Sequence, residues 1–386
     1  MYKLLILFCI FCNFFSYNIL SFLVGEQFSW ADDYGSREFV LQTEIELVIL
    51  FTILLFMCVC VKSPLNLHKS QVPSNIKYEK GSLFYIISNI VFCFFLILKF
   101  SSINWNFSTE GRGVGQWDLE NRETPLQGLL EFYLPFLIYL ILIGFFRGRR
   151  YLIVIAIAVL IISGVSDGGR DAVVYFAILG FIYIYYFGNL SAKSYLLFFL
   201  IAFLGMTFSA SDRFSGGTFI ENTLVKIIGC NADSSYLTMV KYAVKNGITL
   251  SPLTFSFHFL SLLVPSYVFV AFFNMLSYPR ASLLFNTVFN DNPDNGMGFM
   301  MLADFYWSFG YFGYILYLLF FYFVLSFFSK NIYSNKPVNV VLAMISVLYI
   351  CNQRVDFGSF VKPFVYTYVF LSIFEHFRKK YLLKKN

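Results

Sequence analysis

Residues 300 to 328 read MMLADFYWSFGYFGYILYLLFFYFVLSFF, a run whose single charged side chain, Asp304, stands near its start. A bilayer-crossing helix needs roughly twenty mostly apolar residues, and this run supplies them with length to spare. Comparable runs fill most of the remaining chain: Leu4 to Val24, Ile45 to Val61, Ser82 to Ile103, Leu126 to Phe146, Tyr151 to Val165, Ala172 to Phe187, Ser194 to Ala210, Val338 to Cys351 and Phe360 to Glu375. With 58% hydrophobic and 13% charged residues, and 51 Phe among 386, the composition exceeds what a soluble core calls for. The expectation is an all-α, polytopic helical integral membrane protein with about ten transmembrane helices.

One long interruption breaks the series, Ser211 to Phe299, and it divides the chain into three parts. Residues 1–210 form a seven-helix transmembrane part. Residues 211–299 form a long loop with surface or re-entrant helices, and residues 300–386 form a three-helix part ending in a basic tail. Short cytoplasmic loops retain Lys and Arg. An inside N-terminus gathers inside Lys3, Lys62, Lys69, Lys77, Lys80, the Arg147, Arg149 and Arg150 cluster, Lys193, Lys330, Lys336 and the RKKYLLKK tail. Of the acids only Glu79 and Glu375 then fall inside. Both termini are expected in the cytoplasm and the long loop outside. The first apolar run lacks a small-x-small cleavage site, so it is read as a retained helix.

A further apolar run, Leu253 to Phe273, lies within the external loop. As a lone span it would invert the positions of the basic clusters. Pro252 and Pro265 suit a re-entrant or surface-lying segment instead. Phe219 to Asn246 is amphipathic, as a helix on the membrane surface would be. Its lysines, Lys226, Lys241 and Lys245, read either as a solvated, headgroup-contacting face or as part of a site.

The net charge of +6 is accounted for by inner-leaflet loops, so no nucleic acid is implied. Cys230 alone among seven cysteines is clearly external, which excludes an internal disulfide framework. Neither a nucleotide-binding glycine loop nor a His-x-x-x-His pair occurs, and the Cys-x-x-Cys of Cys9 and Cys12 lies inside the first apolar run, where it reads as packing or lipid-facing side chains in preference to a metal or redox pair. Glu44 with Glu46, and Asp118 with Glu120, have acid-x-acid spacing in acid-rich loops, a pattern too short to assign a metal. No metal and no cofactor are expected.

Three polar clusters at the outer ends of spans share one composition. SDGGRD covers residues 166–171, SDRFSGG residues 211–217 and NQRVDFG residues 352–358. Each pairs an arginine with an aspartate beside glycine, which permits tight turns and close backbone approach. Such corners suit a phosphate, with Arg170, Arg213 and Arg354 as its ligands. The alternative is an interfacial Arg–Asp ion pair capping a hairpin. Arg280, after Tyr278 and Pro279 in apolar surroundings, is a further anion-binding candidate. His258 is the one outward histidine and a candidate general base; a packed residue among Phe255, Phe257 and Phe259 is the other reading. Asp304, flanked by Phe305, Tyr306 and Trp307, is either a second base or a helix-start acid in an aromatic belt. Glu131 stands in the same position with respect to the fourth span.

The segment NPDNGMGFMMLADFYWSFGYFGYI, residues 292–315, together with the arrangement of spans, resembles the bacterial O-antigen polymerase (Wzy) family. The matching positions are Gly296, Gly298, Asp304, Phe309, Gly310 and Gly313. The resemblance implies a GT-C-like glycosyltransferase of the bacterial inner membrane, with its long loop and active site periplasmic. Such an enzyme joins undecaprenyl-pyrophosphate-linked oligosaccharide repeats into polysaccharide for lipopolysaccharide biosynthesis. Its partners would be that lipid-linked oligosaccharide, membrane lipid and a chain-length regulator protein. Arg170, Arg213, Arg280 and Arg354 would bind pyrophosphate or glycan, and Asp304 or His258 would take the acceptor proton. An O-antigen ligase and a lipid-linked oligosaccharide flippase or transporter are the alternatives.

Overall fold

The computed structural model describes residues 6–7, 10–11, 14–15, 37–61, 82–103, 129–130, 132–146, 148–166, 234–264, 281–289, 299–332, 334–351 and 357–382. Among the described residues every regular element is an α-helix. In chain order these are α1 Arg37–Cys60, α2 Leu83–Ser101, α3 Tyr133–Leu142, α4 Arg150–Ser166, α5 Ser234–Lys245 and α6 Pro252–Leu263. There follow α7 Ala281–Phe289, α8 Met301–Phe309, α9 Tyr311–Asn331, α10 Pro337–Cys351 and α11 Phe357–Leu382.

Among the described residues three stretches are long and apolar enough to cross a membrane: Val40–Cys60, Leu83–Ser101 and Tyr311–Asn331. Shorter apolar helices occupy Tyr133–Leu142, Tyr151–Leu160 and Pro337–Val347. Their outward faces are greasy: Phe56 and Val59 on α1, Ile90 and Ile97 on α2, and Phe323 on α9 are all more than 60% exposed. Rows of large apolar side chains on the outside of helices this hydrophobic mark a surface meant for lipid. The chain is thus a helical, membrane-embedded protein.

Helix ends follow local chemistry. Ser82 caps α2 by accepting the Tyr85 N–H on its Oγ at 3.3 Å. Ser251 does the same for α6, accepting the Thr254 N–H at 3.1 Å. Pro252, expected to break a helix, instead begins one, since its missing N–H costs nothing at the first helical position. Gly247, at φ +81°, ends α5 with the Ile248 N–H donating to the Ala243 carbonyl, a left-handed helix stop.

The run from Met300 to Phe328, expected as one span, is two helices. Gly310, at φ 58° and ψ −141°, breaks it in a conformation that side chains on Cβ resist. Just beyond, Gly313 lies so close to the Phe305 carbonyl that an added Cβ would sit 2.1 Å from that oxygen. The two glycines therefore have separate tasks: one turns the chain, the other lets α9 touch the backbone of α8.

The chain forms two compact units, each discontinuous in sequence. The first comprises Met1–Ser63, Phe214–Ser329 and Ser346–Phe364. Within it α5 packs on α1 and α8, and α6 packs on α8. Ile6, Ile10 and Phe14 are buried at helical spacing, and Phe11 and Phe15 meet Phe51 of α1. The second comprises Pro64–Arg213, Lys330–Ile345 and Val365–Asn386, with α2 against α3 and α4. Its core is aromatic: Phe95, Phe136 and Phe370 lie 5.6–5.9 Å from one another, and Phe374 lies 4.9–5.0 Å from Phe136 and Phe370, across α2, α3 and α11. The Tyr133 hydroxyl ties α3 to α4 through the Ala156 carbonyl at 2.8 Å.

Candidate functional site

The first unit gathers the candidate chemistry on α8 and the helices around it. α8 is short, but eight of its nine residues are buried, Met301 through Ser308. Burial on every side follows from its neighbours: α5 and α6 cover it, while the Gly310 turn folds α9 back onto it through the Gly313 contact. Trp307 is fixed by its indole N–H donating to the Ile248 carbonyl at 2.8 Å, just past the end of α5. Its ring packs among Phe285 and Phe299.

Asp304 is 2% exposed. Its Oδ2 accepts the Phe357 backbone N–H at 3.0 Å. Phe357 is the first residue of α11, so the carboxylate caps another helix from outside and faces the partial positive charge of its start. Ser308 lies one helical turn beyond Asp304 and is 4% exposed, and its Oγ is enclosed without a hydrogen bond among the described residues. Leaving a buried hydroxyl unmatched costs about 1–3 kcal/mol. The Asp304–Ser308 face therefore suits a polar group that enters from elsewhere.

His258 is also buried, at 6% exposed, on α6. That helix packs on α8, so both candidate bases belong to neighbouring elements of the same unit. The seating is aromatic. Phe255 stacks on Phe357 at 5.4 Å and meets Phe305 and Phe309 at 5.6 and 5.1 Å, and Phe259 stacks on Phe357 at 6.1 Å. Phe357 thus joins the two positions: its N–H engages Asp304 and its ring receives the His258 helix. On the other side of Phe357 an apolar cleft of about 220 Å³ runs between Phe320, Phe323, Phe327, Phe360 and Phe364.

A second polar centre was not expected from the pattern of residues. Glu46 of α1 accepts three hydrogen bonds: from Lys241 Nζ at 2.9 Å, from the Tyr314 hydroxyl at 2.7 Å and from Gln42 Nε2 at 3.3 Å. The side chains of Lys241 and Glu46 are 2% and 17% exposed. Tyr306, Tyr311 and Tyr314 pack around Glu46's partner, with ring centroids 5.2–5.9 Å apart. Lys241 is therefore not part of a solvated face: α5 turns it inward against α1 and buries Tyr236 to Lys241 in succession.

Glu44 and Glu46 lie within helix α1, not in a loop. Two residues along a helix is about 200° of rotation, so their carboxylates diverge and do not form a pair. Among the described residues, no group of three metal-ligating side chains comes together.

Arg170, Arg213, Arg280, Arg354 and Glu131 lie outside the described residues, as do Asp118, Glu120, Lys226, Cys230 and Pro265. Sequence reasoning missed Ser308, whose only signal was its spacing of four from Asp304, and the ion pair of Glu46, which it had read only in an acid-x-acid pattern with Glu44 although the carboxylate stands more than two turns inside a hydrophobic helix. Compared with known protein families, with curated proteins and with solved structures, the chain matches none.

Proposed function

We propose that this protein is a membrane glycosyltransferase of the O-antigen polymerase kind, working at the external face of the bacterial inner membrane. In this reading ten spans carry both termini in the cytoplasm, and residues 211–299 form the periplasmic segment. The observation that carries the reading is the buried face of α8, where Asp304 and the unmatched Ser308 hydroxyl lie one turn apart inside the segment that resembles the polymerases. A lipid-linked sugar demands a polar site reachable from an apolar surface, and the aromatic cleft beside Phe357 supports such an approach.

The reaction moves the growing glycan from undecaprenyl pyrophosphate to the sugar hydroxyl at the non-reducing end of an incoming lipid-linked repeat. The hydroxyl oxygen bonds to the anomeric carbon while the bond from that carbon to the pyrophosphate oxygen breaks. Undecaprenyl pyrophosphate leaves with the electron pair, and the hydroxyl proton passes to a base, Asp304 or His258. Arg170, Arg213, Arg280 and Arg354 would stabilise the leaving charge with forked hydrogen bonds. Ser308 would orient a sugar hydroxyl beside the carboxylate.

The helix break at Gly310 favours one other reading. Transporters build substrate sites from discontinuous helices, and α8 and α9 form such a pair. One experiment separates the readings: a gel of surface glycan from cells lacking the protein, with and without complementation. A single repeat unit on the lipid core in place of a ladder means polymerase. Polymer retained on the polyprenyl carrier means ligase, and no glycan outside means transporter.

A further inference from the structure

The second unit holds an arginine with no counter-charge among the described residues. Arg149 lies in the turn between α3 and α4, which Gly144 and Gly148 shape with φ of 73° and 83°. Its guanidinium sits 4.9 Å from the Tyr85 ring centroid and 5.4 Å from that of Phe145. Nη1 donates to Asn89 Oδ1 at 3.2 Å. That amide is itself oriented, because Asn89 Nδ2 donates to the Tyr85 carbonyl at 2.8 Å and so turns its oxygen towards the arginine. The opposite arm, Nη2, is enclosed and has no hydrogen-bond partner among the described residues. Among the described residues no carboxylate forms an ion pair with Arg149.

A guanidinium held this way lacks an anion. Two aromatic faces and one neutral amide fix the cation without neutralising it, and an unmatched charged donor is costlier than a neutral one. A second orphan stands on the same helix turn: Ser88, fully buried, whose Oγ has no hydrogen bond among the described residues. Ser88 lies three residues from Tyr85 and next to Asn89 in α2. Arg149 also directly precedes α4, whose first amides favour negative charge.

The surroundings identify the anion. Arg147, Arg149 and Arg150 form the cluster that the charge pattern puts on the cytoplasmic side, and Lys77 and Lys80 precede α2 in sequence. Asn89 is six residues into α2 from Leu83, about 9 Å along the axis. Arg149 itself stands in the turn at the ends of α3 and α4, the level of lipid phosphates, and its side chain reaches towards the acyl region to meet Asn89. Arginine, with its planar fork and weak hydration, suits phosphate at such a boundary better than lysine.

We propose that Arg149, with Asn89 and the Tyr85–Phe145 pair, binds the phosphate of an anionic lipid headgroup in the cytoplasmic leaflet. The phosphate oxygens accept from Nη2, which swings from its enclosed position to meet them. The site is independent of the external chemistry proposed above.

The test uses the full chain extracted in mild detergent, with lipid adducts counted by native mass spectrometry after incubation with phosphatidylglycerol, with phosphatidylcholine, or with inorganic phosphate. One phosphatidylglycerol should be retained by the wild-type protein. Loss of one charged hydrogen bond in Arg149→Gln should weaken that retention about tenfold. Arg149→Lys should weaken it less, as should Asn89→Ala, which leaves the charge in place and keeps the test valid should Arg149→Gln fail to fold. Equal retention of phosphatidylglycerol by wild type and both the Lys and Ala variants would overturn the proposal. So would equal retention of phosphatidylcholine, or displacement of the lipid by millimolar phosphate, which would assign the site to a soluble anion.

Discussion

Lys241 and Glu46, 195 residues apart, meet at 2.9 Å and form a buried ion pair between α5 and α1. Tyr314 closes the arrangement from α9. Removing one partner from a buried pair leaves an uncompensated charge and costs about 3–5 kcal/mol. The partial exposure of Glu46 puts Lys241→Met at the lower end, about 3 kcal/mol. Thermal unfolding of the detergent-solubilised protein should show a clear loss of stability for Lys241→Met and for Glu46→Gln. The double variant Lys241→Met/Glu46→Leu should recover much of it, since neither charge is then stranded. Equal destabilisation by the double and single variants would mean the pair is not the connection.

Gly310 and Gly313 fail differently when replaced. Nothing lies within 4 Å of a Cβ at Gly310, so Gly310→Ala is penalised by backbone strain alone, about 1–3 kcal/mol. Gly313→Ala instead drives a methyl into the Phe305 carbonyl and forces α8 from α9, with an overpacking cost of about 1–3 kcal/mol. A second substitution tells them apart. At φ 58° and ψ −141° Gly310 lies outside the left-handed helical region that Asn tolerates, so Gly310→Asn should cost about as much as Gly310→Ala, whereas Gly313→Asn should be worse than Gly313→Ala. Expression and unfolding midpoints of the four variants decide this.

Asp304→Asn retains an oxygen for the Phe357 N–H but cannot take a proton. The protein should accumulate and unfold near the wild-type temperature, yet fail to build the glycan ladder. Asp304→Ala removes the cap as well and should cost about 1 kcal/mol of additional stability. A normal ladder from Asp304→Asn would leave the residue a purely structural role and pass the base function to His258.

Lysine offers a point charge where arginine offers a fork. Arg170→Lys, Arg213→Lys and Arg280→Lys should each shorten or abolish the ladder while the protein still inserts. Full activity of all three would dismiss the pyrophosphate clamp.

How far the sequence could be read differs by element. The apolar windows of α2 and α10 were legible to within two residues, because a hydrophobic run bounded by Ser82 or Pro337 admits few alternatives. The break at Gly310 was not legible, since composition is equally apolar on both sides and only the backbone conformation distinguishes one span from two. Pro252 misled for a related reason: proline stops a helix it enters midway but begins one it heads. Lys241 was legible as a charge but not as a buried one. Amphipathicity gives the polar face of α5 and says nothing of a carboxylate waiting on α1. Asp304 was identified by its setting among Phe305, Tyr306 and Trp307, while its bond to a backbone 53 residues away depends on tertiary packing alone.

The division at Gly310 also bears on how the chain is made. α9, with 21 residues, is about 32 Å long and can cross a hydrocarbon layer of about 30 Å by itself, whereas the nine residues of α8 reach only about 14 Å. Asp304 consequently need not pass through the insertion machinery as part of a span. The membrane can accept α9 as an ordinary hydrophobic helix, and the carboxylate is fully enclosed only once α11, which follows in the chain, brings the Phe357 N–H to it beside α5 and α6. Biogenesis and burial are thereby separated in time, and a charge too costly to insert can still end up deep inside the finished protein.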